Sequence, residues 1–155
     1  MEYRRLHFVG IGGAGMSSLA ALALQRGYAV TGFDARASAT TEALVRAGAR
    51  LATTHGEGLG AEAEVIVVSS AMPASDPEVV WARSSGKPVL RRGELLAAWL
   101  ATEPGGIAVC GTHGKGSTAS ALVDILCAAG HRVAFTLGAQ RRADGLAAAW
   151  VESPE

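Results

Sequence analysis

The sequence predicts an α/β fold built on a parallel β-sheet. Short hydrophobic runs suited to strands alternate with longer stretches, rich in Ala and Leu, that are suited to helices. Such alternation is typical of right-handed β-α-β units with parallel strands. Of the 155 residues, 49% are hydrophobic but only 5% are aromatic. This composition favours closely packed helix and sheet layers over an aromatic-rich β-sandwich.

The first two thirds of the chain contain the clearest alternation. The continuous β-branched run Val65–Val68 predicts a strand covered on both faces, because such strands are hydrophobic throughout. A helix is predicted to begin at Pro77 with Asp76 as its N-cap, since proline suits the first helical position. The other predicted strands cover residues 6–9, 29–33, 50–53 and 88–90, and the other predicted helices cover residues 16–26, 40–47 and 93–101.

A break in this pattern divides the chain. Residues 102–106 contain one Pro and two Gly and are interpreted as a linker. The alternation then restarts with a strand at 107–110, a helix at 115–129 and a strand at 132–135. We therefore expect one domain over residues 1–101 and a second over residues 107–155. Residues 138–155 have no clear pattern.

A first glycine-rich loop joins the first predicted strand to the first predicted helix. Residues 10–15 read Gly-Ile-Gly-Gly-Ala-Gly and fit the G-x-G-x-x-G fingerprint, with Asp34 ending the next strand about 20 residues later. Glycines permit the tight turn, and the helix N-terminus offers N–H groups to a phosphate. The motif predicts a Rossmann-like nucleotide site, but NAD, FAD, a UDP-sugar and a turn that only packs all remain open.

A second glycine-rich loop lies about 100 residues further on, at residues 111–118. Lys115 is predicted to begin a helix, where its ammonium can meet the β- and γ-phosphates of a nucleotide, and Ser117 or Thr118 can offer a hydroxyl to Mg²⁺. The loop departs from the standard P-loop pattern, because Gly116 stands where the hydroxyl residue is usual. The alternative is an ordinary glycine-rich turn with a solvated lysine.

Charge and composition argue against several classes of partner. Lys plus Arg equals Asp plus Glu at 14 each, so no basic excess indicates nucleic acid or an anionic membrane. No hydrophobic run approaches the roughly 20 residues of a membrane span, and the N-terminus does not resemble a secretory signal. Cys110 and Cys127 match no zinc spacing. A cytoplasmic protein is expected.

The two loops together resemble those of the Mur ligase family of ATP-dependent amino-acid ligases, and in particular the members that join L-alanine to UDP-N-acetylmuramate. The resemblance covers most of residues 6–138 and continues at residues 31–34, 67–71, 76–78 and 92–94. It implies a Rossmann-like domain that binds the UDP-sugar, followed by the start of a P-loop ATPase domain that binds ATP and Mg²⁺. The implied reaction, in peptidoglycan synthesis, proceeds through an acyl phosphate that the amine of L-alanine attacks.

The resemblance also assigns residues. Lys115 corresponds to the catalytic phosphate-binding lysine. The implied ATP phosphate site comprises Gly111, Thr112, His113, Gly114, Lys115, Gly116, Ser117 and Thr118. The implied UDP-sugar site comprises Gly12, Gly13, Ala14, Gly15, Asp34, His55, Ser69 and Ser70. The implied metal ligands are Ser117, Thr118 and Glu152. His55 can equally be an exposed loop histidine. Arg92 and Glu94, which belong to the resembling segment 92–94, can equally be surface charges on a helix.

Family members have three domains, and this sequence reaches only into the second. We therefore expect an incomplete ligase that is inactive alone. Residues 107–155 are expected to fold back on the first domain, to pair with another chain in self-association, or to be mobile, because unpaired strand edges are exposed otherwise. Two further functions remain open: a stand-alone, non-catalytic UDP-sugar or nucleotide-binding module, and a dinucleotide-dependent oxidoreductase.

Overall fold

The computed structural model describes residues 3–52, 54–55, 58–103, 105–139, 141 and 148–151. Its main element is a five-stranded parallel sheet with the strand order β3-β2-β1-β4-β5. The strands are β1 (Arg5–Val9), β2 (Ala29–Phe33), β3 (Arg50–Ala52), β4 (Val65–Val68) and β5 (Val89–Arg91). The α/β class and the parallel sheet predicted from the sequence are therefore confirmed.

Helices cover both faces of this sheet. The helices are α1 (Ala14–Gln25), α2 (Ala39–Arg46), α3 (Pro77–Ser84), α4 (Arg92–Thr102) and α5 (Lys115–Ala128), with a short 3₁₀ turn at Leu59–Glu62. On one face, Leu19 of α1 and Leu95 of α4 join the core around Phe8. On the other face, Val79 of α3 packs with Ile66. Burial on both sides explains why β4, with the sequence Val-Ile-Val-Val, is entirely apolar.

The starts of two helices follow from local chemistry. The Asp76 carboxylate accepts a hydrogen bond from the backbone N–H of Glu78 at 2.9 Å, and Pro77 is the first residue of α3. This confirms the predicted N-cap. At α2, the Ser38 hydroxyl accepts from the backbone N–H of Thr41 at 3.2 Å. Both caps satisfy N–H groups that have no partner within the helix.

The beginning of the predicted linker is attached to the first domain. Helix α4 continues through Thr102, and Glu103 forms an ion pair with Arg26 at the end of α1. The Arg26 guanidinium also lies over the ring of Trp99, 5.4 Å from its centroid. Residues 102 and 103 are therefore held in place by packing and charge.

The predicted strand at residues 107–110 is wrong. This segment pairs with no strand among the residues that the structure describes, and Ile107 is 56% exposed. Its β-branched composition suits a strand, but a strand needs a neighbour for its N–H and C=O groups. The described strands beyond it, β6 (Val133–Thr136) and β7 (Ala148–Val151), pair antiparallel with each other instead.

Strands β6 and β7 pack onto the first domain. They contact helix α1, and Ala148 belongs to the main core. On their other side, Val123 of α5 packs against Phe135 and Ala149. Of the three arrangements expected for the second part of the chain, the described residues therefore adopt the first, in which this part folds back on the first domain. No helix in the described part of the chain is long and apolar enough to cross a membrane.

Candidate functional site

The first glycine loop lies at the carboxyl edge of the sheet, between β1 and α1. The backbone N–H groups of Gly10 and Ile11 both donate to the carbonyl oxygen of Phe33, at 2.8 and 3.1 Å. Gly10 has φ of 77°, a left-handed conformation that glycine adopts without strain. The loop is thus fastened to the end of the neighbouring strand β2.

Asp34 holds the same loop from the side. Its Oδ2 accepts a hydrogen bond from the backbone N–H of Gly12 at 2.7 Å, and its Oδ1 accepts from the N–H of Arg36 at 3.1 Å. A Cβ atom at Gly12 would lie only 2.8 Å from Oδ2, so a side chain there would displace the carboxylate. Asp34 therefore shapes the loop, and each carboxylate oxygen keeps a further lone pair for a ligand hydroxyl.

The N-terminus of α1 is suited to an anion. Gly13 is its N-cap, no side-chain cap is found there among the described residues, and the first turn contains no acidic residue. The first N–H groups of a helix lack partners within the helix and carry a partial positive charge. This arrangement places Gly13, Ala14 and Gly15 where a phosphate can accept backbone hydrogen bonds.

Ser69 and Ser70 follow β4 at the same edge. The backbone N–H of Ser69 donates to the carbonyl oxygen of Val9 at 3.1 Å, and a Cβ at Gly10 would lie 3.1 Å from the Ser69 Cβ. Ser70 is exposed. In the strand order β3-β2-β1-β4-β5, successive strands are added on one side of β1 up to β3 and on its other side from β4. Ligands of open α/β sheets bind at the switch point between β1 and β4, where the order reverses.

His55 follows β3, is exposed and makes two contacts. Its ring lies on Phe33 with the two centroids 4.4 Å apart, and its Nδ1 is 3.6 Å from Oε1 of Glu78. Glu78 is buried in the first turn of α3. Phe33 is the residue before Asp34, so His55 lies close to the first loop and its acid.

Arg92 is a further residue at this edge, and the sequence left open whether it is more than a surface charge. Its side chain passes beside Gly15, where an added Cβ would lie 2.9 Å from Arg92 Cδ and 3.1 Å from Nε. Arg92 is the first residue of α4 and follows β5 directly. In the sequence, the family resemblance at residues 92–94 singles out this position, but no local pattern predicts its contact with Gly15.

The second glycine loop begins helix α5. Gly114 is the N-cap of α5 and has φ of 73°, while Gly111 has φ of 152°. The Lys115 ammonium donates to the carbonyl oxygens of Gly111 and Thr112 at 2.6 and 3.1 Å. The lysine therefore folds back over its own loop, and residues 111–118 are all exposed.

The second loop is open around the N-terminus of α5. A Cβ at Gly114 or Gly116 would meet nothing within 4 Å, so the helix N-terminus is open to a ligand. No acidic residue lies in the first turn of α5. However, no paired strand precedes the loop in the described residues, so the strand–loop–helix unit of a P-loop is only partly present there.

The hydroxyl groups of Ser117 and Thr118 lie in the first turn of α5 and are hard oxygen donors of the kind that Mg²⁺ prefers. Within the described ranges, no group of three or more His, Cys, Asp or Glu residues could hold a metal ion. Glu152, the remaining predicted metal ligand, lies outside the described residues. The hydroxyls therefore remain the predicted ligands on the loop.

Known proteins match most of the chain. A family model described as "Mur ligase family, catalytic domain" matches residues 5–103. UDP-N-acetylmuramate–L-alanine ligase from Laribacter hongkongensis is 45% identical over 144 residues, which are 93% of this chain and 30% of that protein. The ligase of the same name from Acidithiobacillus ferrooxidans is 43% identical over 146 residues, 94% of this chain and 31% of that protein. The chain thus spans about 30% of the length of these relatives.

Solved structures give the same result. UDP-N-acetylmuramate-alanine ligase MurC from Thermotoga maritima matches with a TM-score of 0.83 at 26% identity, over 97% of this chain and 35% of that chain. The UDP-N-acetylmuramate:L-alanyl-γ-D-glutamyl-meso-diaminopimelate ligase from Neisseria meningitides matches with a TM-score of 0.82 at 28% identity. This match covers 94% of this chain and 46% of that chain. The family resemblance in the sequence is therefore confirmed: the chain belongs to the Mur ligase family.

Proposed function

We propose that this protein acts in the ATP-dependent ligation of L-alanine to UDP-N-acetylmuramate in peptidoglycan synthesis. The observation that supports this most strongly is the 45% identity to a ligase of that name over 144 of the 155 residues. A match of that length includes both glycine loops. The first loop then serves the UDP-sugar, and the second serves the phosphates of ATP.

In the first site, the diphosphate of the UDP-sugar lies at the N-terminus of α1 and accepts backbone hydrogen bonds from Gly13, Ala14 and Gly15. Asp34 keeps the loop in shape through the 2.7 Å bond to Gly12. Ser69 and Ser70 contribute hydroxyl groups from across the switch point, and His55 faces the uridine end from its place on Phe33.

In the second site, the γ-phosphoryl group of ATP passes to the carboxylate of the sugar substrate, forming an acyl phosphate and ADP. The amine nitrogen of L-alanine then attacks the acyl carbon, a C–N bond forms, the C–O bond to phosphate breaks, and the amine loses a proton. The Lys115 ammonium, which donates to backbone carbonyl oxygens of the loop, donates to phosphate oxygens instead when ATP is bound. Its positive charge then stabilises the negative charge of the phosphates. Mg²⁺, when bound through Ser117 and Thr118, offsets negative charge on the phosphates.

A second candidate is a UDP-sugar-binding module that does not catalyse ligation. It is favoured by the fact that every predicted UDP-sugar residue is described at one edge of one sheet. This candidate needs only the first site.

Calorimetric titration distinguishes these functions. The purified protein is titrated separately with UDP-N-acetylmuramate, with ATP and Mg²⁺, and with NADH, and ADP release is then measured with all substrates of the ligase present. Binding of UDP-N-acetylmuramate and of ATP supports the ligase function, and binding of the UDP-sugar alone supports the module. Binding of NADH in place of the UDP-sugar contradicts both and supports an oxidoreductase.

A further inference from the structure

We propose that Arg92 is a binding residue for the diphosphate of the UDP-sugar at the first loop. This inference rests on the proposed function, because it names an additional residue of the same site. It assigns to Arg92 a role that the glycine fingerprint does not contain.

The contact between Arg92 and Gly15 places the guanidinium at the anion site. Gly15 is the second residue of α1, and its missing side chain leaves the space that Arg92 fills, with Cδ 2.9 Å and Nε 3.1 Å from an added Cβ. The Arg92 side chain therefore lies against the first turn of α1. The backbone N–H groups of that turn and the guanidinium can reach one anion together.

The charge of Arg92 is available for a ligand. Five arginines of the described chain face carboxylates: Arg5 faces Glu64, Arg26 faces Glu103, Arg46 faces Glu42, Arg50 faces Glu62 and Arg141 faces Asp124. Arg92 has no carboxylate, ring or hydrogen-bond partner among the described residues, and it is exposed. The acid nearest to it in sequence, Glu94, instead accepts from the backbone N–H of Arg91 at 2.6 Å.

A positive charge at Arg92 stabilises a bound diphosphate. Asp34 brings a negative charge to the same loop, and the formal net charge of the chain is zero, so the protein as a whole does not attract a diphosphate. A guanidinium offers two parallel N–H groups that match two phosphate oxygens. Arg92 therefore supplies the positive side chain that the first loop itself lacks.

The test compares UDP with uridine, because the two ligands share the base and ribose and differ in the diphosphate. Arg92→Ala, Arg92→Lys and the control Arg83→Ala are titrated with each ligand by calorimetry. Arg83 is a matched control, since it is an exposed arginine in the last turn of α3. Helices of a parallel sheet end at the edge opposite the first loop, so Arg83 lies away from the site.

We expect Arg92→Ala to weaken UDP binding about tenfold or more while uridine affinity is unchanged, a loss typical of one charged hydrogen-bonding partner. Arg92→Lys is expected to lose less, and Arg83→Ala to bind both ligands as the unchanged protein does. Unchanged uridine affinity also demonstrates that Arg92→Ala is folded. Equal UDP affinity of Arg92→Ala and the unchanged protein overturns this inference alone. If the unchanged protein binds neither ligand, the proposed UDP-sugar function fails and the inference fails with it.

Discussion

The hydroxyl of Thr136 donates a hydrogen bond to the hydroxyl oxygen of Ser18 at 3.0 Å, and Ser18 in turn donates to the carbonyl oxygen of Gly15 at 3.1 Å. Thr136 lies on β6, and Gly15 lies in the first turn of α1. Two hydroxyl groups therefore join the second part of the chain to the turn that forms the first glycine loop. This bond ties β6 to the helix on which the proposed UDP-sugar site is built.

Replacing Ser18 tests the strength of this connection. Ser18 is buried, so Ser18→Ala leaves the Thr136 hydroxyl without its partner, and we expect the free energy of unfolding to fall by about 1–2 kcal/mol. Urea denaturation measures this change. Ser17→Ala is the matched control, because Ser17 also donates to a backbone carbonyl within α1 but is only half-buried. Equal losses in the two variants contradict a special role for the contact with β6.

Replacing Asp34 tests how the first loop is held. Asp34→Ala removes the acceptor of the Gly12 N–H, and we expect UDP-N-acetylmuramate affinity to fall about tenfold, which corresponds to one hydrogen bond to a charged group. Asp34→Asn keeps an acceptor oxygen and is expected to lose less. Calorimetry measures both affinities. If Asp34→Ala binds the UDP-sugar as well as the unchanged protein does, the loop does not depend on this carboxylate.

Replacing Lys115 tests the second loop. Lys115→Ala is expected to weaken ATP binding at least tenfold and to leave UDP-N-acetylmuramate binding unchanged, since it removes the positive charge beside the proposed phosphates. The control is Lys87→Ala, because the Lys87 ammonium also donates to two backbone carbonyls, those of Ala61 and Ala63. Loss of UDP-sugar binding in Lys115→Ala, or equal loss of ATP binding in both variants, contradicts this assignment.

His7 predicts a pH dependence of stability. Burial lowers the pKa of His7 from 6.5 to about 4. Its Nδ1 lies 2.9 Å from the Thr31 hydroxyl, and its Nε2 is buried without a hydrogen-bond partner among the described atoms. Because the folded protein binds the proton less readily than the unfolded chain, stability is complete above pH 6.5 and falls as the pH decreases towards 4. The loss attributable to His7 is about 3 kcal/mol.

Urea denaturation between pH 7.5 and 4 measures this effect. The control His7→Leu has no titrating group at this position. Carboxylates that titrate in the same pH range affect both proteins alike, so the difference between their unfolding free energies reports on His7 alone. We expect this difference to shift in favour of His7→Leu as the pH falls. A difference that stays constant with pH means that His7 remains protonated to the same extent in the folded and unfolded states.

The parts of the fold that depend on local sequence were predictable. Strand Val65–Val68 and the N-cap Asp76 agree with the structure because β-branched runs and capping side chains act within a few residues. Strand β7 was not predicted, since Ala148 and Ala149 favour a helix and only pairing with β6 makes them extended. The error at residues 107–110 has the same cause, because whether a segment is a strand depends on a distant neighbour.

The candidate site was likewise predictable where it depends on local sequence and not where it depends on distant contacts. Glycine loops are recognisable from the spacing of their glycines, so residues 10–15 and 111–118 could be found in the sequence. The position of Arg92 beside Gly15 and that of His55 on Phe33 depend on packing between elements far apart in the chain. No local pattern carries such contacts, and only the three-dimensional arrangement reveals them.

A crystal structure of the protein with UDP-N-acetylmuramate is the most direct test of the proposed UDP-sugar site. We expect the diphosphate at the N-terminus of α1, with its oxygens within hydrogen-bonding distance of the backbone N–H groups of Ala14 or Gly15. The Arg92 guanidinium is expected on the same oxygens. A diphosphate bound at residues 111–118, or anywhere else away from the first loop, contradicts the proposed division between the two loops.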